Sequence, residues 1–314
     1  MAEIDVVIPM HNSAQWVGGA LDSLLEQGPC LGQVVCVDNN STDNSSDVVQ
    51  TWGQAHPNVR LKLIEERTPG AGAARNAGLR EVNTTWVQFL DSDDLLGPQK
   101  MGSQMALGQD RDMVYGHFMF SREDHAWPSW AMSADPLAGL AHGRTGQTTS
   151  NLFRTESVRA AGGWDESLSS AQEYDLMFRM FKAGGRFTMS DDHLTTVRLF
   201  PEGRISTSNE AKRRLNSFAL RMKMWAHVQS APGVTGAQKQ RVLNALFNTT
   251  RWLDPFDEAR AAEGDAEAHC SVRQCARSAA VIKPTAKARK PFRRPSESTL
   301  FAPTAQRLRS PRRQ

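Results

Sequence analysis

Four short apolar segments within the first ninety residues constrain the fold more than any other feature of the sequence. They are residues 4–8, 34–37, 59–64 and 86–90. Each has the length and composition of a strand buried on both faces, and the spacing between them suits a crossover helix with two loops. Strands that alternate with helices predict an α/β fold built on a mainly parallel sheet.

The connections between these segments carry helix signals. In the first connection, apolar residues from position 16 to position 25 recur at helical spacing, with Ser13 as the predicted N-cap and Gly28 just past the end. The third connection enters an Ala-rich helix through residues 69–72, and Gly78 is predicted to end that helix. Helices are therefore expected to cover the sheet.

The second half of the chain has a less regular hydropathy pattern. Residues 100–160 show a mixed pattern, whereas residues 165–183 are predicted to form one helix. Residues 208–252 are predicted to form two further helices with a break near Pro232 and Gly233. The chain thus adds a helical subdomain to the α/β part.

The net charge of +3 hides an asymmetry along the chain. Residues 277–314 contain eleven Lys or Arg and one acid, so they carry +10, which leaves −7 for residues 1–276. The basic character belongs to the C-terminal segment, so the folded part has no general basic character and nucleic acid is not an expected partner.

Beyond about residue 255 the content of Ala, Arg, Pro and Ser rises and apolar periodicity disappears. This composition predicts a disordered, basic, low-complexity tail. Three interpretations remain open: a solvated extension, a peripheral contact with anionic lipid head groups on the inner face of the membrane, and non-specific RNA binding.

Cysteine use and hydropathy point to a cytoplasmic location. Cys30, Cys36, Cys270 and Cys275 are too few for a disulfide framework in 314 residues, and the last two lack zinc-site spacing. No segment has the roughly 18 consecutive apolar residues of a membrane span, and no basic region precedes the first apolar segment. We therefore expect neither a transmembrane helix nor a signal peptide.

Polar residues stand where three of the predicted strands end. Ligands of open parallel sheets bind outside the carboxyl ends of the strands, where loops and helix N-termini converge. The polar sets share one predicted edge of the sheet, which makes that edge the candidate binding crevice. The residues are Pro9, His11 and Asn12, then Asp38 and Asn39, then Asp91, Ser92, Asp93 and Asp94.

The acidic segment FLDSDDLL, residues 89–96, is the most specific of these. Three carboxylates within four residues repel one another unless a cation offsets them, and oxygen ligands suit Mg²⁺ or Mn²⁺. Such an ion commonly uses one or two carboxylates together with substrate phosphates. The alternative interpretation is a helix N-cap with a solvated acidic turn.

A second pair of carboxylates, Glu173 and Asp175, stands at the start of a predicted helix. The pair predicts either a general base or a carboxylate stabilised by the helix dipole. The eight histidines lack metal-ligand spacing and no G-x-S-x-G segment is present, which argues against a hydrolase triad.

Six segments of the chain form an ordered set. They are residues 4–12 (IDVVIPMHN), 35–43 (VCVDNNSTD), 70–78 (GAGAARNAG), 89–96 (FLDSDDLL), 162–166 (GGWDE) and 172–179 (QEYDLMFR). In this order they resemble the signature of family 2 glycosyltransferases of the GT-A fold. The resemblance covers residues 3–206 and implies a Rossmann-like, mainly parallel sheet flanked by helices. Its nucleotide-binding half would be residues 1–99 and its acceptor half residues 100–206, followed by a helical subdomain at 207–255 and the tail at 256–314.

The resemblance also implies a reaction. A sugar would pass with inversion from a nucleoside-diphosphate sugar, with a UDP-sugar favoured, to a hydroxyl of a glycan or a lipid-linked acceptor, with Mn²⁺ or Mg²⁺ as cofactor. By similarity, Glu173 is the catalytic base and Asp93 the metal ligand. The implied nucleotide-sugar contacts are Pro9, His11, Asn12, Asp38, Asn39, Arg75, Asp91 and Ser92, and the implied acceptor-side residues are Trp164, Asp165 and Asp175.

Departures from the family pattern keep a second interpretation open. Asn39 stands where many members have Asp, and Phe200 stands where some have a His near the metal. A catalytically silent relative that binds a nucleotide sugar and acts as a partner or scaffold is the alternative. A sugar-1-phosphate nucleotidyltransferase would need a Gly-rich basic loop after the first strand, and residues 9–12 are not such a loop.

Overall fold

The computed structural model describes residues 4–122, 125–129, 133–200 and 210–263, with side chains described through Thr249. The strands are β1 (Ile4–Met10), β2 (Leu31–Asp38), β3 (Leu61–Glu65), β4 (Trp86–Phe89), β5 (Leu95–Leu96), β6 (Met113–Gly116), β7 (Met119–Arg122), β8 (His125–Pro128), β9 (Leu152–Arg154), β10 (Phe187–Ser190) and β11 (Thr195–Arg198). The helices are α1 (Val17–Asp22), α2 (Ser45–Ala55), α3 (Ala71–Glu81), α4 (Lys100–Leu107), α5 (Pro136–His142), α6 (Thr155–Ala160), α7 (Gln172–Lys182), α8 (Glu210–Ser230) and α9 (Gly236–Glu263), with a 3-10 helix at Leu25–Cys30.

The larger sheet has seven strands within the described ranges, in the order β10-β6-β9-β4-β1-β2-β3. Strand β9 is antiparallel to both of its neighbours, and the other pairs are parallel. The predicted α/β class and the four predicted strands are confirmed. Because β1, β2 and β4 run in the same direction, the loops that follow them emerge at one edge.

Strand β1 shows why this sheet is buried on both faces. Val6 and Ile8 point into one apolar cluster, and Val7 between them points into another. Helices cover both faces, so the strands read as continuous apolar segments instead of alternating ones.

Gly78 does not end helix α3, which continues to Glu81. A Cβ at Gly78 would lie 2.3 Å from Cγ1 of Val7 on β1, so this glycine lets the helix pack closely on the sheet. The prediction was wrong because a glycine near a helix end signals a C-cap and a close contact equally well.

The first connection also differs from its prediction. Helix α1 begins at Val17, and Ser13 caps it with its backbone carbonyl, which accepts from the Trp16 and Val17 amides at 2.9 Å. No side-chain N-cap bond forms, and the Ser13 hydroxyl instead pairs with the Ser92 hydroxyl at 2.8 Å. The helix ends at Asp22, before the 3-10 helix that contains Gly28 at φ 70°.

Helix α7 begins at Gln172, later than predicted. Ala171 has φ 57°, and upstream the Asp165 carboxylate accepts from the Ser167 amide at 3.0 Å. A left-handed residue and a local turn therefore separate residues 165–171 from the helix.

The predicted break between two C-terminal helices is confirmed, since α8 ends at Ser230 and α9 begins at Gly236. Helix α9 continues to Glu263, past the predicted boundary at residue 255. The domain boundaries stay predictions. The segment 264–314, with Cys270, Cys275 and most of the predicted tail, lies outside the described residues.

A smaller sheet orders its strands β5-β11-β7-β8. Strand β5 comes directly after the acidic segment and pairs antiparallel with β11.

Cys30 and Cys36 are buried free thiols. Among the described helices, none combines the length and the apolar content needed to cross a bilayer.

Candidate functional site

The loops after β1 and β2 are bound to each other. Oδ1 of Asn12 accepts from the Thr42 amide at 2.7 Å, and the Asn12 amide donates to the Ser41 hydroxyl at 3.0 Å. The Asp43 carboxylate accepts from the Ala14 amide at 3.0 Å. Asn12 has φ 51°, a conformation that Asn adopts more readily than most residues. These contacts bring together two of the polar sets that the sequence predicts at one edge.

Asp38 ends β2 as a charged group. Its carboxylate accepts from the Ser46 hydroxyl at 2.6 Å and from the Ser41 amide at 2.9 Å. Burial acts to raise the pKa of Asp38, but these hydrogen bonds outweigh it and leave the pKa below its usual value. The loop therefore presents a fixed anionic side chain at the sheet edge.

Asn39 binds the loop that precedes α3. It is 6% exposed, its amide nitrogen donates to the carbonyls of Glu66 (2.7 Å) and Thr68 (2.8 Å), and its Oδ1 accepts from the Gly70 amide at 2.8 Å. An ionised Asp accepts hydrogen bonds and donates none, so it could not make the first two contacts. This explains an amide at this position, while base recognition by Asn39 stays a prediction.

His11 lies on the rim beside Asn39. The His11 ring is exposed, and its Nδ1 is 2.8 Å from the Asn39 carbonyl oxygen. Pro9 is half-buried near the end of β1. Both residues thus border the predicted nucleotide crevice, and their contact with a nucleotide is a prediction.

Arg75 joins the third polar set to helix α7. This 7% exposed residue of α3 donates to Oδ1 of Asp91 at 2.7 Å and to Oε1 of Gln172 at 3.2 Å. Its guanidinium carbon lies 4.5 Å from the centroid of the Trp164 ring. One buried cation therefore connects the acidic turn after β4 with the start of α7, a link that the spacing of these residues in the sequence did not indicate.

Within the acidic turn, Asp94 has a structural position. It is 4% exposed, and its two oxygens accept from the Thr149 hydroxyl at 2.8 Å and from the Arg198 amide at 3.2 Å. Burial, followed by the charges of Asp93 and Asp91, raises the pKa of Asp94 well above its usual value. Asp94 therefore anchors the turn to β11 and to Thr149.

Two carboxylates of the turn stay near the surface. The Asp91 side chain is 33% exposed and Asp93 is half-buried, whereas Ser92 is buried and its hydroxyl is bound to that of Ser13. No group of three His, Cys, Asp or Glu forms a complete metal cage among the described residues. Asp93, with an oxygen of Asp91, fits the sparse carboxylate set that Mg²⁺ or Mn²⁺ uses when substrate phosphates complete the coordination.

Glu173 lies in the first turn of α7, next to Gln172. Burial raises the pKa of Glu173, the charge of Asp91 raises it further, and the charge of Arg75 opposes the rise. The Glu173 carboxylate is thus within electrostatic reach of both members of the ion pair. A carboxylate with a raised pKa is a stronger proton acceptor once ionised.

Trp164 supports this cluster from below. It is 2% exposed, and its ring meets the Phe89 ring edge-on with 5.0 Å between centroids. The Trp164 ring also lies against the guanidinium of Arg75. In this structure Trp164 fixes Arg75, and its predicted contact with an acceptor is untested.

The other two predicted acceptor-side residues also make internal contacts. A hydrogen bond from the Ser167 hydroxyl lowers the pKa of Asp165. Asp175, 4% exposed, pairs with Arg179 at 2.7 Å and with Lys223 of α8 at 3.5 Å. Asp175 ties α7 to α8, and an acceptor role for either residue stays a prediction.

Sequence reasoning missed Gln172 and Thr149. Gln172 stands next to Glu173 in the quoted segment, so its position was a usable signal, whereas Thr149 lies in the mixed region without any motif. Phe200 packs on Trp16 with 4.8 Å between ring centroids. An aromatic ring at this position supplies packing and no nitrogen ligand.

Comparison with known sequences gives the family. The sequence model described as Glycosyl transferase family 2 matches residues 5–164, about half of the chain. An uncharacterised glycosyltransferase of Rickettsia prowazekii is 23% identical over 240 residues, 71% of this chain and 70% of that protein. One of Nostoc is 35% identical over 112 residues, 36% of this chain and 34% of that protein. The match spans only 17% of the length of a Rickettsia bellii relative.

Solved structures share the fold. Staphylococcus aureus TarS residues 1–349, in complex with UDP-GlcNAc, superposes with a TM-score of 0.61 at 18% identity, over 79% of this chain and 72% of that one. A mannosyltransferase of Pyrobaculum calidifontis, in complex with GDP-Man and Mn²⁺, has a TM-score of 0.55 at 18% identity, over 90% of this chain and 81% of that one. The family match shows that the chain belongs to glycosyl transferase family 2, and the solved structures show that its fold is of the GT-A type.

Proposed function

We propose that this chain is an inverting, metal-dependent glycosyltransferase that moves a sugar from a nucleoside-diphosphate sugar to a hydroxyl of a glycan or lipid-linked acceptor. The observation that carries the proposal is the Arg75 bridge. Arg75 holds Asp91 of the acidic turn at 2.7 Å and contacts Gln172, the residue beside Glu173. Groups suited to donor binding and to proton transfer therefore share one site.

The loops after β1 and β2 are bound to each other, and their arrangement supports binding of a nucleotide-sugar donor. Asp38, Asn39 and Asn12 hold the ends of β1 and β2 in one arrangement, which makes the crevice preorganised. Proteins of the same fold have been solved with UDP-GlcNAc and with GDP-Man. A UDP-sugar is the donor that we favour.

Asp93 and Asp91 would hold a divalent ion, Mn²⁺ or Mg²⁺. When bound, such an ion offsets the negative charge of the nucleoside-diphosphate leaving group. The ion pair with Arg75 holds the Asp91 carboxylate in a fixed orientation. Asp94, with both oxygens in use, fixes the backbone of the turn and takes no part in donor binding.

Glu173 would act as the general base. It accepts the proton of the acceptor hydroxyl as that oxygen attacks the anomeric carbon, and the bond from the anomeric carbon to the diphosphate oxygen breaks with its electron pair. One base and one displacement give inversion of configuration at the anomeric carbon. Because the pKa of Glu173 is raised, the carboxylate holds the proton more firmly than an ordinary Glu.

A second candidate function rests on Phe200 and Asn39. Phe200 packs on Trp16, and the Asn39 side chain is bound to its own loop. Phe200 therefore offers no nitrogen to a metal, and the Asn39 amide nitrogen is already bound within the protein. These two features agree with a relative that binds a nucleotide sugar without turnover and acts as a partner or scaffold. Such a protein would bind nucleotide and metal and would transfer no sugar.

Thermal unfolding with UDP, GDP, dTDP and CDP, each with Mn²⁺, Mg²⁺ or EDTA, tests the donor site. A ligand that binds only the folded protein raises the melting temperature by mass action. We expect UDP to stabilise the protein only when metal is present. The absence of a shift with every pair would contradict donor binding, and a shift without sugar transfer in acceptor screens would favour the silent relative.

A further inference from the structure

The segment that precedes β9 is both polar and buried. Residues 145–151 have the sequence TGQTTSN. A buried polar group costs free energy unless it is hydrogen-bonded, so a segment of this kind adds less to stability than an apolar one would. Its use must be sought in what its groups hold. The side chains that are at most 5% exposed are those of Thr145, Thr148, Thr149, Ser150 and Asn151.

Thr149 binds both ends of the acidic turn. Its hydroxyl accepts from the Asp91 amide at 3.2 Å and donates to Oδ2 of Asp94 at 2.8 Å. The Asp94 amide closes the same turn by donating to the Asp91 carbonyl at 3.0 Å. One hydroxyl thus fixes the first and the last residue of the turn that carries Asp93.

The backbone of Thr149 is held from the core. Its carbonyl accepts from Nε2 of Gln88 at 2.9 Å and from Nζ of Lys100 at 3.2 Å, and Lys100 also donates to Oε1 of Gln88 at 2.5 Å. All three residues are at most 1% exposed. Burial lowers the pKa of Lys100 well below its usual value, and these two acceptors are neutral oxygens. A lysine in such surroundings costs free energy, and what it secures is the position of Thr149.

The segment is also fixed on either side of Thr149. The Ser150 carbonyl accepts from Nε2 of Gln104 on α4 at 2.9 Å. The Gly146 carbonyl accepts from the hydroxyl of Tyr174 on α7 at 2.8 Å. The backbone that carries the Thr149 hydroxyl is therefore held by contacts outside the acidic turn, so this hydroxyl can set the shape of the turn.

We propose, on the basis of the proposed function, that Thr149 is a positioning residue of the metal site. Its hydroxyl holds the acidic turn in the shape in which Asp93 and Asp91 bind Mn²⁺ or Mg²⁺ together with the donor diphosphate. Thr149 acts through Asp91 and Asp94 and does not itself contact the metal. Removing a group that orients metal ligands commonly weakens metal binding by about 10- to 100-fold. The metal requirement should therefore change separately from the stability of the metal-free protein.

Thr149→Val tests the proposal, because it keeps the branched shape of the side chain and removes the hydroxyl. UDP is titrated by calorimetry at a series of fixed Mn²⁺ concentrations, which gives the Mn²⁺ concentration that supports half of the full UDP affinity. We expect this concentration to rise about tenfold in Thr149→Val. Thr149→Ser, which retains the hydroxyl, should return it close to that of the unmodified protein.

Thr145→Val is the matched control. Thr145 lies in the same segment and is 0% exposed, and its hydroxyl has no hydrogen-bond partner among the described residues. Its removal should leave the Mn²⁺ requirement unchanged. Thermal unfolding in EDTA measures the stability of each variant without metal. Should Thr149→Val unfold, Thr149→Cys replaces it, because a thiol is a weaker hydrogen-bonding group and should also raise the Mn²⁺ requirement.

The outcomes are distinct. The same Mn²⁺ requirement in the Thr149→Val or Thr149→Cys protein as in the unmodified one would overturn the proposal, and so would failure of Thr149→Ser to restore it. An equal rise in Thr145→Val would overturn it as well, because the effect would then belong to the segment and not to the Thr149 hydroxyl. Failure of the unmodified protein to bind UDP with Mn²⁺ would instead overturn the proposed function itself.

Discussion

The acidic turn after β4 and the first turn of α7 are both bound by Arg75, and each combines a buried acid with a more accessible one. Asp94 and Asp175 are both 4% exposed. Asp94 accepts from a neutral hydroxyl and a backbone amide, whereas Asp175 pairs with the cations Arg179 and Lys223. Equal burial is therefore compensated in two different ways.

The difference follows from the neighbours of each acid. Asp94 stands beside Asp93 and Asp91, whose charges add to burial in raising its pKa, so neutral donors suffice to hold it. Asp175 lies against a basic helix that supplies Lys223. In both turns the buried acid makes structural contacts, and we propose that Asp93 in one turn and Glu173 in the other serve ligand chemistry. The predictions below test this division.

The largest expected effect is that of Glu173→Gln. Loss of the base should lower sugar transfer by about 10²- to 10⁴-fold while metal-dependent UDP binding is retained. Because burial raises the pKa of Glu173, ionised Glu173 is disfavoured in the folded state, so the neutral variant should not melt at a lower temperature. Transfer assays and thermal unfolding measure both effects, with the surface change Glu156→Gln as control. Unchanged transfer would rule out the base assignment.

Asp93→Asn should act on the other turn. The variant should melt like the unmodified protein in EDTA but should need about tenfold more Mn²⁺ for stabilisation by UDP, because a carboxylate ligand becomes a neutral amide. A titration of Mn²⁺ at fixed UDP, followed by melting temperature, measures the difference. Identical titration curves would remove Asp93 from the metal site.

Asp175→Asn should lower stability without weakening UDP binding. Loss of the charged hydrogen bond to Arg179 is expected to reduce the free energy of unfolding by about 1–3 kcal/mol. Lys223→Gln should cost less than about 1 kcal/mol, because the Lys223 side chain is 60% exposed. Urea unfolding of both variants gives the values. A larger effect from Lys223→Gln than from Asp175→Asn would mean that Lys223 stabilises the protein through contacts other than the one with Asp175.

The smallest expected effect is on the pH dependence. Glu173 must be ionised to accept a proton. Because its pKa is raised, acidification should stop transfer at a higher pH than it would with an ordinary Glu. Asp91→Asn removes a charge that raises this pKa, so the acidic limb of the pH–rate profile should move to lower pH even where the rate is reduced. A limb that moved to higher pH would contradict the electrostatic contact between Asp91 and Glu173.

The local sequence pattern was enough to predict much of the fold. The four apolar segments became β1 to β4, and the polar residues that follow β1, β2 and β4 meet at one edge of the sheet. These features depend on composition over a few residues and on strand direction, which the spacing of the segments encodes.

Several local signals were misread because they have more than one structural use. Gly78 allows a close contact with Val7 and does not end its helix, and the backbone carbonyl of Ser13 caps α1 while its hydroxyl pairs with Ser92. The left-handed residue before α7 is Ala171, which carries no sequence signal for that conformation. Which use prevails depends on what packs against each residue.

The sequence by itself determined the class of fold and the edge of the sheet that carries polar groups, and it predicted roles for the carboxylates Asp91, Asp93 and Glu173. The tertiary structure decided how they combine. Arg75 joins segments separated by about a hundred residues. The physical reason is that local propensity depends on near neighbours in the chain, whereas charge compensation and burial depend on neighbours in space.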